Sequence, residues 1–275
     1  MDIISRAWGE TKNLLFPVQC AGCQVWDTEL CSACAALATG ETTMRALDDI
    51  EGRPALEITA LGRYEGRLRS IILAAKHDPH RDLSRFLTEA GRNLGEATGR
   101  QLALQLGRGA KGSSSLPPFP LRIWVVPAPS SHMRRLQRAE IVPLFAKGVV
   151  EGLRAELHAA VYPLGKAGGS GEGDLRVGSG GDPVVHPISL VPPARPTPSV
   201  QLASVVALRW GVRGQSGRSA ASRITGRQGA MRLLRPLPPH TAVIVVDDVV
   251  ASGATVESVV DLFEGRVLSV IALAA

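Results

Sequence analysis

Residues Val243 to Thr255 read VIVVDDVVASGAT, and they restrict the possible folds more than any other stretch of the chain. Val243, Ile244, Val245 and Val246 form an apolar run without alternation, which predicts a strand buried on both faces, as in a parallel sheet covered by helices on each side. Asp247 and Asp248 follow at its carboxyl end, where open α/β sheets place ligands. Ser252, Gly253 and Thr255 then lead into Val256, Val259, Val260 and Phe263, which repeat at helical spacing. A helix start here offers free backbone N–H groups and the positive end of a dipole, and glycine lets an anion approach closely. The acidic pair can accept hydrogen bonds from sugar hydroxyls while the turn 251–255 (Ala251, Ser252, Gly253, Ala254, Thr255) holds a phosphate. The competing reading is a solvated acidic turn in which Ser252 or Thr255 caps an ordinary helix.

The neighbouring segments support an α/β class. A strand is predicted near Val205 to Trp210, a helix near Ala220 to Leu233, a strand at Ala242 to Val246, a helix from Thr255 to Phe263 and a strand at Val267 to Leu273. Alternation with short connections implies parallel pairing. Earlier in the chain, Leu68, Ile71, Ile72 and Ala75, and then Leu83, Leu87, Ala90 and Leu94, keep helical spacing. Ile123 to Val126 reads as a buried strand ending at Pro127 and Pro129. A further helix spans about Ile141 to Leu157, starting no earlier than Pro143. The glycine- and proline-rich stretch from Gly165 to Pro198 is read as the body of a flexible insertion over 163–200.

All four cysteines lie in the first 35 residues, as Cys20-Ala-Gly-Cys23 and Cys31-Ser-Ala-Cys34, two knuckles seven residues apart. Four thiolates so spaced can close a tetrahedral Zn2+ site, which leaves no open position for water or substrate and so implies a structural role. A redox pair is the competitor, but neither knuckle follows a strand as a thioredoxin-like motif would.

The 275 residues are 45% hydrophobic, enough for one α/β domain with a small appended module but tight for two full-size domains. The net charge is +6, with five lysines among 31 basic residues and arginines spread along the chain. Such a balance permits nucleic-acid binding without locating a site. Arg134, Arg135 and Arg138, after the strand at 123–126, read equally well as anion contacts or as a solvated face. Lys76 ends a helix, where a cation favours the dipole with or without a ligand. The histidines show no metal or triad spacing, and the tryptophans at 8, 26, 124 and 210 read as packing residues. No apolar run approaches the roughly 20 residues of a membrane-spanning helix, and the N-terminus carries no signal-peptide core, so a soluble, cytoplasmic protein without a transmembrane segment is expected.

The string at 243–255 resembles the signature of type I phosphoribosyltransferases: a hydrophobic strand, two acidic residues, two variable residues, two hydroxyl residues, glycine, a small residue and threonine. Ala251 stands where one hydroxyl residue is usual. Together with the cysteine knuckles, LLFPVQCAGC, RYEGRLRSIILAAKH, WVVPAPSS and GQSGRSAASRITGRQGAM, it makes the chain similar to the ComF family, associated with competence and DNA uptake. RLQRAEI at 135–141 and Gly226 differ from that family's usual pattern.

The resemblance implies a phosphoribosyltransferase-type parallel sheet flanked by helices, with a zinc-ribbon-like N-terminal module. It implies binding of phosphoribosyl pyrophosphate with Mg2+, or of a ribose 5-phosphate moiety, with Asp247 and Asp248 on the ribose hydroxyls. Lys76, Arg134, Arg135, Arg138, Gln215 and Arg223 would be pyrophosphate or nucleic-acid contacts. The alternative it carries is a non-catalytic protein of the DNA-uptake machinery that binds single-stranded DNA or nucleotides. The expected division is a zinc module over 1–40, a helical segment and linker over 41–120, and the phosphoribosyltransferase-like domain over 121–275.

Overall fold

The computed structural model describes residues 18–47, 56–78, 80–109, 122–129, 141–161, 197–208, 231–251 and 253–275. It is a mixed α/β structure in which a six-stranded, mostly parallel sheet is flanked by helices and a four-cysteine cluster lies near the N-terminus. The strands are β1 (Thr43–Leu47), β2 (Leu56–Ala60), β3 (Arg122–Pro127), β4 (Ser199–Leu202), β7 (Thr241–Val249) and β8 (Val267–Ala274). Their order is β1-β2-β8-β7-β3-β4, and only β1 runs antiparallel to its neighbour. A separate antiparallel pair joins β5 (Val206–Leu208) to β6 (Met231–Leu233).

The unbroken apolar run is explained by two hydrophobic cores. Val243 and Val245 belong to one core; Ile244 and Val246, pointing the other way by strand alternation, belong to the second. The first core also takes Val256, Val259 and Val260 of α5 (Ala254–Val260), Leu47 of β1, Val206 of β5 and Met231 of β6. The second takes Leu68, Ile71 and Ile72 of α2 (Gly66–His77), with the apolar faces of α3 (Ser84–Gly109) and α4 (Val142–Val161). Each Val or Ile of that run is fully buried, which contributes about 1.5–3 kcal/mol per side chain.

The two long helices approach until their backbones touch. Gly91, Gly95 and Gly99 of α3 recur every fourth residue and so share one face, as do Gly148 and Gly152 of α4. A Cβ at Gly91 would collide with the Phe145 carbonyl, at Gly95 with that of Val149, at Gly148 with that of Thr88 and at Gly152 with that of Arg92.

Several expectations are corrected. Residues 41–120 are not only helical: β1 and β2 lie there, and β2 pairs in parallel with β8, so the sheet crosses the predicted boundary at 121. Residues 231–233, expected at the end of a helix, form β6, where Met231 packs into the core as a strand residue. Helix α4 begins at Val142, one residue earlier than expected, because proline is tolerated in a first turn that has no N–H acceptor to lose. Ser199 and Val200, the last residues of the expected insertion, are in β4, and the rest of the insertion up to residue 196 lies outside the described residues.

Gly148→Ala separates propensity from packing. Alanine in a helix interior is worth about 1 kcal/mol over glycine, whereas overpacking costs about 1–3 kcal/mol or more. Urea unfolding should show a net loss of stability, and a gain would contradict the backbone contact.

Candidate functional site

The cysteine cluster is shaped by backbone N–H groups turned towards sulfur. Gly22 and Cys31 each donate a backbone hydrogen bond to Cys20 Sγ at 3.4 Å. Cys31 also caps the short helix α1 (Ser32–Ala35), which carries Cys34. Left-handed Gln24 and Asp27 tighten the loop, and an isolated bridge pairs Gln19 with Trp26. The four Sγ atoms lie within 4.8 Å of one another, with Cys23 and Cys31 at 3.6 Å. A tetrahedron with Zn–S bonds of about 2.3 Å has S···S edges of roughly 3.8 Å. Side-chain room is confined: a Cβ on Gly22 would sit 2.6 Å from Cys34 Sγ.

The cluster could therefore hold a metal ion, consistent with structural zinc. Burial pushes the Cys20 thiol up, but the N–H groups of Cys23, Cys31 and Gly22 outweigh it and bring the thiol down to about 6. Burial and the neighbouring sulfurs of Cys31, Cys20 and Cys23 push the Cys34 thiol up. Four crowded thiolates thus need a cation to coexist.

This module is fixed to the helical layer. Cys20 and Cys34 share a core with Ile71, Ile72 and Phe86. Asn93 of α3 donates to the carbonyls of Ala38 at 3.2 Å and Gly40 at 2.8 Å. Arg81, paired with Asp78 at 2.8 Å, donates to the Gln19 carbonyl. Trp26 corrects one expectation: it is 55% exposed, and Val25 beside it is 49% exposed, so neither packs into the core. Trp124, as expected, is buried, with the Arg235 guanidinium 4.8 Å from its ring centre.

The second candidate site is the carboxyl end of β7. From β3 the chain passes through α4 to β4 on the outer side, whereas from β7 it passes through α5 to β8 in the opposite direction. Adjacent strands whose connections diverge leave a crevice at their carboxyl ends, the topological switch point of open α/β sheets. Pro127 is level with Val246, and Ala128 donates a backbone hydrogen bond to Val246 at 2.7 Å. Asp247 and Asp248 begin one residue further on, both half-buried, and the Asp248 N–H donates to Asp247 Oδ1 at 2.8 Å.

Gly253 turns the chain into α5 with a φ of 75°, a left-handed conformation that disfavours side chains. It also lacks room, since a Cβ would lie 2.8 Å from Leu47 Cδ1. The helix starts at Ala254 with Gly253 as its cap and no side-chain cap bond, so Thr255 lies inside the first turn rather than capping it. Ala251 is exposed and Ala254 buried.

Lys76, in the last turn of α2, reaches Asp248: its Nζ is 2.7 Å from Oδ1, with side chains only 10% and 13% exposed. The structure thus brings together two residues that the sequence suggested independently. Ser252, Arg134, Arg135, Arg138, Gln215 and Arg223 lie outside the described residues. Sequence reasoning missed Arg45, whose Nη2 donates to the Val250 carbonyl at 3.4 Å and sets a guanidinium beside the loop. No local signal marked it, because four of the five β1 residues are exposed and their pattern does not alternate.

Metal binding must displace protons from the thiols, most of all from Cys34. The apparent affinity for Zn2+ should accordingly rise between about pH 6 and pH 8, with proton release measurable by calorimetry in buffers of different ionisation enthalpy. An affinity independent of pH would show that the thiols are not the ligands.

Among the described residues no helix is long and apolar enough to cross a membrane. No protein-family model matches the chain, and no curated protein matches it either.

Proposed function

We propose that the chain is a ComF-like member of the type I phosphoribosyltransferases that binds phosphoribosyl pyrophosphate, or a ribose 5-phosphate moiety, at the carboxyl end of β7. The observation that carries this reading is the position of Asp247 and Asp248 at the switch point between β3 and β7, followed by the left-handed Gly253 turn. A ligand with vicinal hydroxyls next to an anionic group matches that order of carboxylates followed by the backbone N–H groups of a helix start.

In this reading the carboxylates accept hydrogen bonds from the ribose hydroxyls and fix the sugar ring. The phosphate is held by backbone N–H groups at the start of α5, where the left-handed Gly253 turns the chain into the helix. Ala251 offers only its backbone to the phosphate. Mg2+ entering with the pyrophosphate would offset its charge. In transfer the bond from C1 of the ribose to pyrophosphate breaks, pyrophosphate leaves and an acceptor nucleophile bonds to C1 through an oxocarbenium-like state, so these residues act by position and electrostatics rather than by covalent attack. Cys20, Cys23, Cys31 and Cys34 hold structural Zn2+ and take no part in the transfer, because a four-thiolate site is closed to substrate.

The double variant Asp247→Asn with Asp248→Asn should abolish binding of phosphoribosyl pyrophosphate and Mg2+ in calorimetry. Unchanged affinity would refute the assignment. Retained binding of a fluorescent oligonucleotide at low salt, with no response to the sugar phosphate, would favour the DNA-uptake alternative.

A further inference from the structure

Helix α2 touches both candidate sites. On its module side, Ile71 packs so closely that a Cβ on Gly22 would come within 3.2 Å of Ile71 Cδ1 as well as 2.6 Å from Cys34 Sγ. Ile71 and Ile72 are fully buried in the same core as Cys20 and Cys34. Just beyond the helix, Arg81 donates to the Gln19 carbonyl and is itself oriented by Asp78, whose carboxyl the Arg81 hydrogen bond holds below the usual carboxylate range. In the last turn of the same helix, Lys76 reaches the ligand loop through Asp248.

The placement of Lys76 is more than a helix-dipole effect. A cation that only complements a helix end stays in water, whereas this ammonium is 10% exposed and in contact with a carboxylate that is 13% exposed. Separating such a pair without a replacement partner leaves a poorly solvated charge on each side. Asp248 must therefore follow α2 when α2 moves. The helix has 12 residues and no proline, so it has no built-in hinge between Ile71 and Lys76.

We propose that Lys76 is a positioning residue through which the cysteine module sets the Asp248 carboxylate at the ligand loop. The link accounts for a closed thiol cluster being joined to a ligand-binding sheet to which it offers no reacting group. It rests on the reading of Asp248 as part of the ligand site, and of the thiols as a metal site, for its functional meaning. The mechanical connection itself can be tested without a sugar phosphate.

The test is hydrogen exchange of the full chain, comparing amides of 244–251 with those of β3 as an internal reference. Metal removal under reducing conditions and Gly22→Ala, which must displace Cys34 Sγ, should each speed exchange at 244–251 about tenfold relative to β3. Lys76→Met should reproduce that acceleration, and adding Gly22→Ala to it should bring little more, as expected of two changes acting through one contact. Lys76→Arg should restore most of the protection.

Acceleration spread evenly over the sheet, or a Gly22→Ala effect undiminished in Lys76→Met, would overturn the proposal. Protein that proves free of metal would refute the metal reading, and Gly22→Ala would still decide the coupling. Failure of phosphoribosyl pyrophosphate to bind would refute the ligand reading and leave the exchange comparison equally decisive.

Discussion

Strand β7 is apolar on both faces, and that burial organises the rest of the fold. A side chain from every residue of Val243 to Val246 must leave water, alternately to one side and the other. Each face consequently needs its own cover: α2, α3 and α4 on the Ile244 and Val246 side, α5 with β5 and β6 on the Val243 and Val245 side. The strand also needs a hydrogen-bonded neighbour along each edge, which β3 and β8 supply in parallel. Pairing with β3 ends at Val246, whereas pairing with β8 runs on to Val249. Asp247 and Asp248 come directly after the fully buried run, on the part of β7 that only β8 still pairs, so the candidate ligand site begins where β3 no longer covers that edge.

The cover on one face depends on contact between backbones rather than between side chains. Glycines on α3 and α4 let the helices pack more closely than leucine or valine would permit, and Leu94, Phe145, Val149 and Leu153 fill the space around them. The ion pairs Arg92–Glu151 and Arg100–Glu156, both at 2.8 Å, join the same helices at the surface. Their side chains are 27% to 54% exposed, and pairs of that kind contribute about 0–1 kcal/mol each. The glycine contact therefore determines the helix spacing, and the ion pairs add orientation.

Much of the sheet was legible because β3, β7 and β8 are buried enough to show as apolar runs, and α2, α3 and α4 keep a helical repeat. The strands β1 and β2 were not. Thr43 to Ala46 are all exposed at the sheet edge, so no periodic pattern distinguishes them from a linker. Residues 231–233 were misread for a different reason: three residues give no usable period, and pairing with β5 overrides local propensity. The cysteine spacing was informative because four ligands must converge on one point. The contact between Lys76 and Asp248 had no such signature, since residues far apart in the chain meet only through the tertiary packing of α2 on the sheet.

That contact also distinguishes stability from positioning. A largely buried ion pair adds little net stability over two apolar side chains, because desolvation consumes most of the attraction. Stability alone would be served as well by a leucine at the end of α2 packed on an apolar strand end. A lysine there does what a leucine cannot: it pairs with a carboxylate that is only 13% exposed and so fixes its position. The same helix leans on the four-cysteine module through Ile71 and Ile72. The order of the thiol cluster, the placement of α2 and the geometry of the acidic strand end are thus successive contacts in a single packed path.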